Sequence, residues 1–167
     1  MSTAAVITLS DKGSQGLRTD GSGPEVARML EAAGYVVTGR DVLPDDMEAI
    51  TGALRRLAGT VDLIVTTGGT GLSPRDVTPE ATMEVIERRI PGIPEAMRAA
   101  GMKKTDRAML SRGEAGVLNR TLIINLPGSP RAAAESLEAV IGSLGHAIEK
   151  IQGSVKDCAV AEGGNNA

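Results

Sequence analysis

Asp76 has the most suggestive surroundings in the chain. It stands near the end of the loop TTGGTGLSPRDVTPEA, Thr66–Ala81, where a glycine-rich run follows directly on an apolar stretch. In Gly68-Gly69-Thr70-Gly71 the glycines permit positive φ and close backbone approach, so successive amide N–H groups can turn toward an anion. A carboxylate beside phosphate is repelled by about 1 kcal/mol at ~4 Å in water, and by several times that in a sheltered cleft. A cation between them removes the conflict. A second acid, Asp45 in LPDDME, closes another loop that the strand pattern brings to the same rim. Each acid also has an ordinary structural use. Asp76 suits an Asx-turn before Thr78-Pro79, and Asp45 suits the N-cap of a helix, with Glu48 completing a capping box. Taken together, two carboxylates flanking a phosphate cradle favour Mg²⁺ held by Asp45, Asp76 and phosphate oxygens.

NLPGSP offers a second anion site. Ser129 can cap the helix that follows, Pro130 fits its first turn, and the positive helix end then points into the crevice. A plain capped helix start explains the same residues. In LSRGEAG, Ser111 and Arg112 are available, although an arginine beside glycine is more often solvated than clamped on phosphate. Two common nucleotide signatures are missing. No Gly-Lys-Ser/Thr follows the glycine run, and in GSGPEV, Val26 stands where a dinucleotide fingerprint needs its third glycine. Cys158 is the single cysteine, in a polar tail, and with His146 it makes no zinc site. His146 falls opposite the apolar stripe of its helix, toward solvent or a neighbouring subunit.

The elements that must position these residues alternate along the chain. AAVITL, YVVTGRDVL, VDLIVTTGG and TLIINLPG read as strands, the first and last as buried apolar runs. GPEVARMLEAAGY, DDMEAITGALRRLA and TPEATMEVIERRI read as helices. The first has Val26, Met29 and Leu30 on one face and Gly34 as its stop, and the second places Met47, Ile50, Leu54 and Leu57 at helical spacing. PGIPEAMRAAG is a short helix, with the rest of 91–119 irregular. A long closing helix carries Leu137, Val140, Ile141, Leu144, Ile148 and Ile151 on one stripe. This predicts a single α/β domain over residues 1–152: a doubly wound, mostly parallel, Rossmann-like sheet with helices on both faces, followed by a flexible tail over 153–167. In such sheets ligands bind beyond the carboxyl ends of the strands. There the loops SDKGSQGLRTDGSG, LPDD, TTGGTGLSPRDVTP and LPGSP converge.

Composition narrows the partners. Of 167 residues, 41% are hydrophobic, enough for a sizeable core. The net charge of -3 with scattered Lys and Arg argues against a nucleic-acid surface. Tyr35 is the only Phe, Trp or Tyr, so a bound base must rest on aliphatic side chains and backbone. No apolar run approaches the ~18 residues of a membrane span, and no signal peptide precedes the first strand, which predicts a cytoplasmic protein.

Taken in order, VITLSD, DGSGP, LPDD, TTGGTGLSPRDVTPEA, IPGIPEAMR, LSRGEAG and NLPGSP closely resemble the molybdenum-cofactor biosynthesis family of the MoaB/Mog type. The resemblance runs from about Ala4 to Ile151. It implies a molybdopterin-binding α/β fold that assembles as a homotrimer, sometimes a homohexamer. It also implies molybdopterin adenylyltransferase activity: Mg-ATP and molybdopterin give adenylyl-molybdopterin and pyrophosphate before metal insertion, with possible hand-over to the metal-insertion protein. On this resemblance Asp45 and Asp76 are the functional acids, and Gly68, Gly69, Thr70 and Gly71 lie at the pterin and phosphate site. Thr8, Ser10, Glu95 and Arg98 surround it from the first strand and the middle helix, and Ser111, Pro127, Gly128 and Ser129 from the later loops. The alternatives are a non-catalytic molybdopterin carrier of the same family and a nucleotide-processing hydrolase of related fold. A nicotinamide oxidoreductase fits least.

Overall fold

The computed structural model describes residues 1–154. Chain order begins with strand β1 (Thr3–Leu9), a single helical turn α1 (Asp11–Ser14), helix α2 (Ser22–Ala32), strand β2 (Val36–Leu43), helix α3 (Met47–Leu57) and strand β3 (Leu63–Thr67). Helix α4 (Thr78–Val85), strand β4 (Arg88–Arg89), helix α5 (Gly92–Met102) and a 3-10 turn (Asp106–Leu110) come next. The hairpin strands β5 (Ala115–Leu118) and β6 (Thr121–Leu126) and the long helix α6 (Pro130–Ile151) complete it. Cys158 and most of the predicted tail lie outside the described residues.

One sheet has the order β2-β1-β3-β6-β5-β4. Its first four strands are mutually parallel, while β5 runs antiparallel to β6 and β4 to β5. The parallel part is legible as short apolar runs because both faces are covered. Ala4, Val6, Leu63, Val65, Leu122, Ile124 and Leu126 join the core beneath α2, α5 and α6. Ala5, Ile7, Leu9, Ile64 and Ile123 turn the other way, into the core with Ile50 and Leu54 of α3 and Ala81 and Val85 of α4. The period-2 alternation of the strand thus divides each run between two cores.

The helix expected over TPEATMEVIERRI is shorter than its pattern, and the part of 91–119 expected to be irregular contains structure. TPEATMEVIERRI stops being helical at Val85, and Arg88–Arg89 pair with Gly116 and Val117 instead. Ala115–Leu118 form a strand joined to β6 through Asn119, whose φ of 56° is one asparagine tolerates in a tight hairpin. Four residues are too few to show a period, which is why GEAGVL did not read as a strand.

The order in which strands are added reverses at β1: β2 lies on one side of it and β3 on the other. The carboxyl ends of β1 and β3 therefore flank a topological switch point, where an open α/β sheet leaves a crevice.

Candidate active site

Two cavities open at that crevice. The larger, about 600 Å³, is lined from the glycine loop by Gly69, Thr70, Gly71 and Asp76, and from α5 by Met97 and Arg98. Ser111, Pro127 and Gly128 line it as well. The smaller, about 420 Å³, is more polar and is bounded by Thr8, Ser10, Asp20, Asp45, Gly68 and Ser129. Gly69, Asp76 and Gly128 belong to both walls, so the cavities adjoin along the glycine loop. Of the residues expected at the site, Glu95 alone lines neither cavity; it is exposed on α5.

The glycine loop owes its shape to contacts only glycine allows. Gly68 has φ of 105°, and a Cβ there would sit 2.3 Å from the Leu9 carbonyl oxygen. Gly69 has φ of 66°, and its Cβ would lie 2.3 Å from Thr78 Oγ1 and 2.9 Å from Asp45 Oδ1. The buried Thr78 hydroxyl instead donates to the Gly68 carbonyl at 2.9 Å, tying the start of α4 to the loop. Arg112 holds the far side. Its Nε donates to the Gly71 carbonyl at 2.7 Å, its Nη2 to the Asp76 carbonyl at 2.8 Å, and its Nη1 pairs with Glu80. Arg112 is thus neither a solvated surface residue nor a phosphate ligand, but the clamp that fixes the loop carrying Asp76.

Asp45 is not the helix cap that its sequence position allows. Asp46 caps α3, its carboxylate accepting the Ala49 N–H at 2.9 Å. That leaves the Asp45 side chain to point into the smaller cavity, where Oδ2 accepts the Asp11 N–H at 3.1 Å. Oδ1 is buried and has no hydrogen-bond partner. Burial pushes the Asp45 carboxyl above the usual carboxylate range; the Asp11 N–H opposes this, and the charges of Asp11 and Asp76 add to it. Asp76 does not make the Asx-turn before Thr78-Pro79 that its position allows, because the Thr78 N–H donates to the Gly69 carbonyl at 3.1 Å. Its Oδ2 instead accepts the Ser73 N–H at 2.9 Å, and the residue lines both cavities.

A buried, unpaired carboxylate oxygen costs stability unless something binds it. With Asp76 nearby, the orphaned Oδ1 fits a hard divalent cation. Among the described residues no cluster of three or more His, Cys, Asp or Glu could hold a metal, so a cation here would complete its shell with ligand oxygens.

Helix ends distinguish the two sides of the smaller cavity. The N-terminus of α2 is already filled by Asp20, whose Oδ1 accepts the N–H groups of Ser22 and Gly23 at 3.2 and 2.9 Å. Its Oδ2 accepts the Thr8 hydroxyl at 2.8 Å. By contrast α6 has the neutral Ser129 as cap, accepting from Ala132 at 3.1 Å, so no carboxylate cancels its positive end. On the larger cavity, Arg98 Nη1 donates to the carbonyls of Ser111 and Gly113, both at 3.2 Å. Asn125, 2% exposed, donates to Thr66 and Thr82 at 3.0 Å each and accepts the Glu114 N–H at 3.1 Å.

Asp20 and Asn125 did not emerge from the sequence as site residues. Both left a signal: Asp20 stands two residues before a helix start, and Asn125 is polar inside the apolar run LIINL. His146 is exposed on α6 and lines neither cavity.

Fold and site together define a doubly wound α/β protein whose switch-point crevice pairs a backbone anion cradle with carboxylates. Residues 5–146 match the family model described as a probable molybdopterin binding domain. The chain is similar to a molybdopterin adenylyltransferase of Helicobacter pylori, 37% identical over 155 residues that span 89% of this chain and 87% of that one. It is also similar to gephyrin of Dictyostelium discoideum, 41% identical over 90% of this chain but only 23% of that much longer protein. The crystal structure of the molybdopterin biosynthesis enzyme MoaB from Thermus thermophilus superposes with a TM-score of 0.87. It is 47% identical and covers 92% of this chain and 98% of that one. The chain belongs to the MoaB/Mog-type family of molybdenum-cofactor biosynthesis proteins.

Proposed function

We infer that the chain is a molybdopterin adenylyltransferase. The adjoining cavities, which share Gly69, Asp76 and Gly128, carry this reading, because they give two substrates a common wall. ATP and molybdopterin are those substrates. An oxygen of the molybdopterin terminal phosphate attacks the α-phosphorus of ATP. The bond from that phosphorus to the bridging oxygen breaks, and pyrophosphate leaves with the electron pair. No protein nucleophile is needed, so the chemistry rests on positioning and on offsetting charge.

The residues divide that work. The amides of Gly69–Gly71 and the end of α6 at Ser129 hold the anionic groups. The Gly68 N–H is donated to the Leu126 carbonyl at 3.1 Å, and Gly68, Thr8 and Ser10 bound the polar cavity. Met97, Pro127 and the neighbouring aliphatic groups receive a flat heterocycle, in keeping with a chain that has no aromatic platform. Arg98 and Ser111 shape the wall opposite the glycine loop, and exposed Glu95 would act only at its edge. Asp45 and Asp76 are the catalytic acids. A Mg²⁺ ion bound by them together with phosphate oxygens would offset the charge that develops on the leaving pyrophosphate. Arg112 keeps Asp76 in place through the main chain.

The family's other reading is a carrier that binds molybdopterin without using ATP. The orphaned Asp45 oxygen favours the enzyme, since a site built only to hold an anion gains nothing from a buried unpaired carboxylate. Pyrophosphate release that requires ATP, molybdopterin and Mg²⁺ together tests the assignment. A folded, molybdopterin-binding sample that releases none would establish the carrier.

No helix among the described residues is long and apolar enough to cross a membrane. We place the protein in the cytoplasm as a homotrimer, with a homohexamer as the alternative, handing its product to the metal-insertion protein. The long, largely exposed edge strand β2 supports self-association, because an open edge invites a covering partner. Sedimentation equilibrium checks the subunit number.

A further inference from the structure

Just outside the polar cavity stands a pair of side chains that the proposed reaction does not itself use. Asp11 follows β1, and its carboxylate Oδ1 accepts the Asp45 main-chain N–H at 3.0 Å. In return the Asp11 N–H donates to Asp45 Oδ2 at 3.1 Å. The same Asp11 carboxylate is gripped by Arg75, whose Nε donates to Oδ2 and whose Nη2 donates to Oδ1, both at 2.9 Å. Arg75 is the chain neighbour of Asp76. An unbroken series of bonds therefore runs from Asp45 through Asp11 and Arg75 to Asp76, joining the loops after β2, β1 and β3.

We propose that Asp11 and Arg75 are positioning residues, a strap that fixes Asp45 and Asp76 relative to each other across the mouth of the crevice. The proposal rests on the reading in which those two acids act on the phosphates. The charges of Asp11 and Asp76 both act against that of Asp45, and this repulsion pushes the loops after β1, β2 and β3 apart at the crevice mouth. Arg75 is the cation that offsets it from within the group, and its fork meets Asp11 at two points, which fixes direction as well as distance. The alternative, a pair present for stability, is weak. Arg75 and Asp11 side chains are 63% and 36% exposed, and exposed ion pairs add little to stability. Arg75 lines neither cavity, so it does not serve as a substrate ligand.

The test is Arg75→Gln, with Asp11→Asn and the double substitution beside it. Displacement of a catalytic group by about 1 Å costs on the order of a hundredfold in rate, so kcat for pyrophosphate release should fall roughly tenfold to a hundredfold. KM for ATP and for molybdopterin should change little, and the melting temperature should hardly move. Because the two residues act through each other, the double variant should be no slower than the slower single variant. Independently of activity, the amide protons of Asp11 and Asp45 should exchange faster in Arg75→Gln, read by NMR without substrates. Unchanged exchange at both amides would overturn the strap. So would wild-type kcat in Arg75→Gln, or losses that multiply in the double variant. If the wild type releases no pyrophosphate, the functional reading fails, and amide exchange still decides whether the strap exists.

Discussion

Replacing Asp45 by Asn should make the protein more stable while making it inactive. An asparagine carbonyl keeps the acceptor for the Asp11 N–H, now met by Oδ2 at 3.1 Å. What changes is the buried Oδ1, which has no partner and lies among other carboxylates. An unsatisfied buried polar atom costs about 1–3 kcal/mol, and more when it is charged, so neutralising it should recover about 1 kcal/mol. In a domain of this size that is a rise of roughly 2–4 °C in melting temperature. The sign with pH follows from the direction of the shift. Burial raises the Asp45 carboxyl in the folded state above its unfolded value of 3.8, so the folded chain holds that proton more tightly. Its favourable contribution is complete below 3.8 and is lost as pH rises through the raised value. The advantage of Asn over Asp is therefore largest at neutral pH and shrinks as the wild-type acid is protonated. Calorimetric melting of both proteins without substrates, at pH 7 and near 3.8, measures it. A variant less stable than wild type at pH 7, or a gain of equal size at both values, would refute the reasoning.

Other substitutions probe the frame of the site. Gly68→Ala puts a Cβ against a main-chain oxygen that cannot move aside, at a φ of 105°. It should cost at least about 2 kcal/mol in urea denaturation. Asn125→Ala removes the partner of the buried Thr66 and Thr82 hydroxyls and of the Glu114 N–H. A loss of about 2–4 kcal/mol is expected by the same assay.

The parallel half of the sheet was legible because buried strands are written as short runs of branched residues between turn signals. AAVITL and TLIINL carry enough such residues to leave little choice. The β5–β6 hairpin was not, because its outer strand is four residues long, and Ala115 and Gly116 give no strand signal. At the site, the order of the loops placed Asp45 and Asp76 on one rim. Neighbouring acids nonetheless compete for the same local task, and spacing could not say that Asp46 caps α3 and frees Asp45. Arg112 and the Asp11–Arg75 pair stayed hidden for another reason. Their partners are main-chain carbonyls and acids dozens of residues away, and side-chain types alone do not encode such contacts. Glu95 shows the converse, a residue supplied by family resemblance that the fold leaves exposed beside the crevice.

The most direct test of the central claim compares wild type with Asp76→Ala in one experiment, reading pyrophosphate release and molybdopterin binding together. Adenylyl transfer predicts that the wild type releases pyrophosphate only when ATP, molybdopterin and Mg²⁺ are all present. It predicts that Asp76→Ala binds molybdopterin nearly as tightly yet releases none, because the Arg112 clamp holds the loop by its main chain. Wild-type turnover by Asp76→Ala would contradict the account.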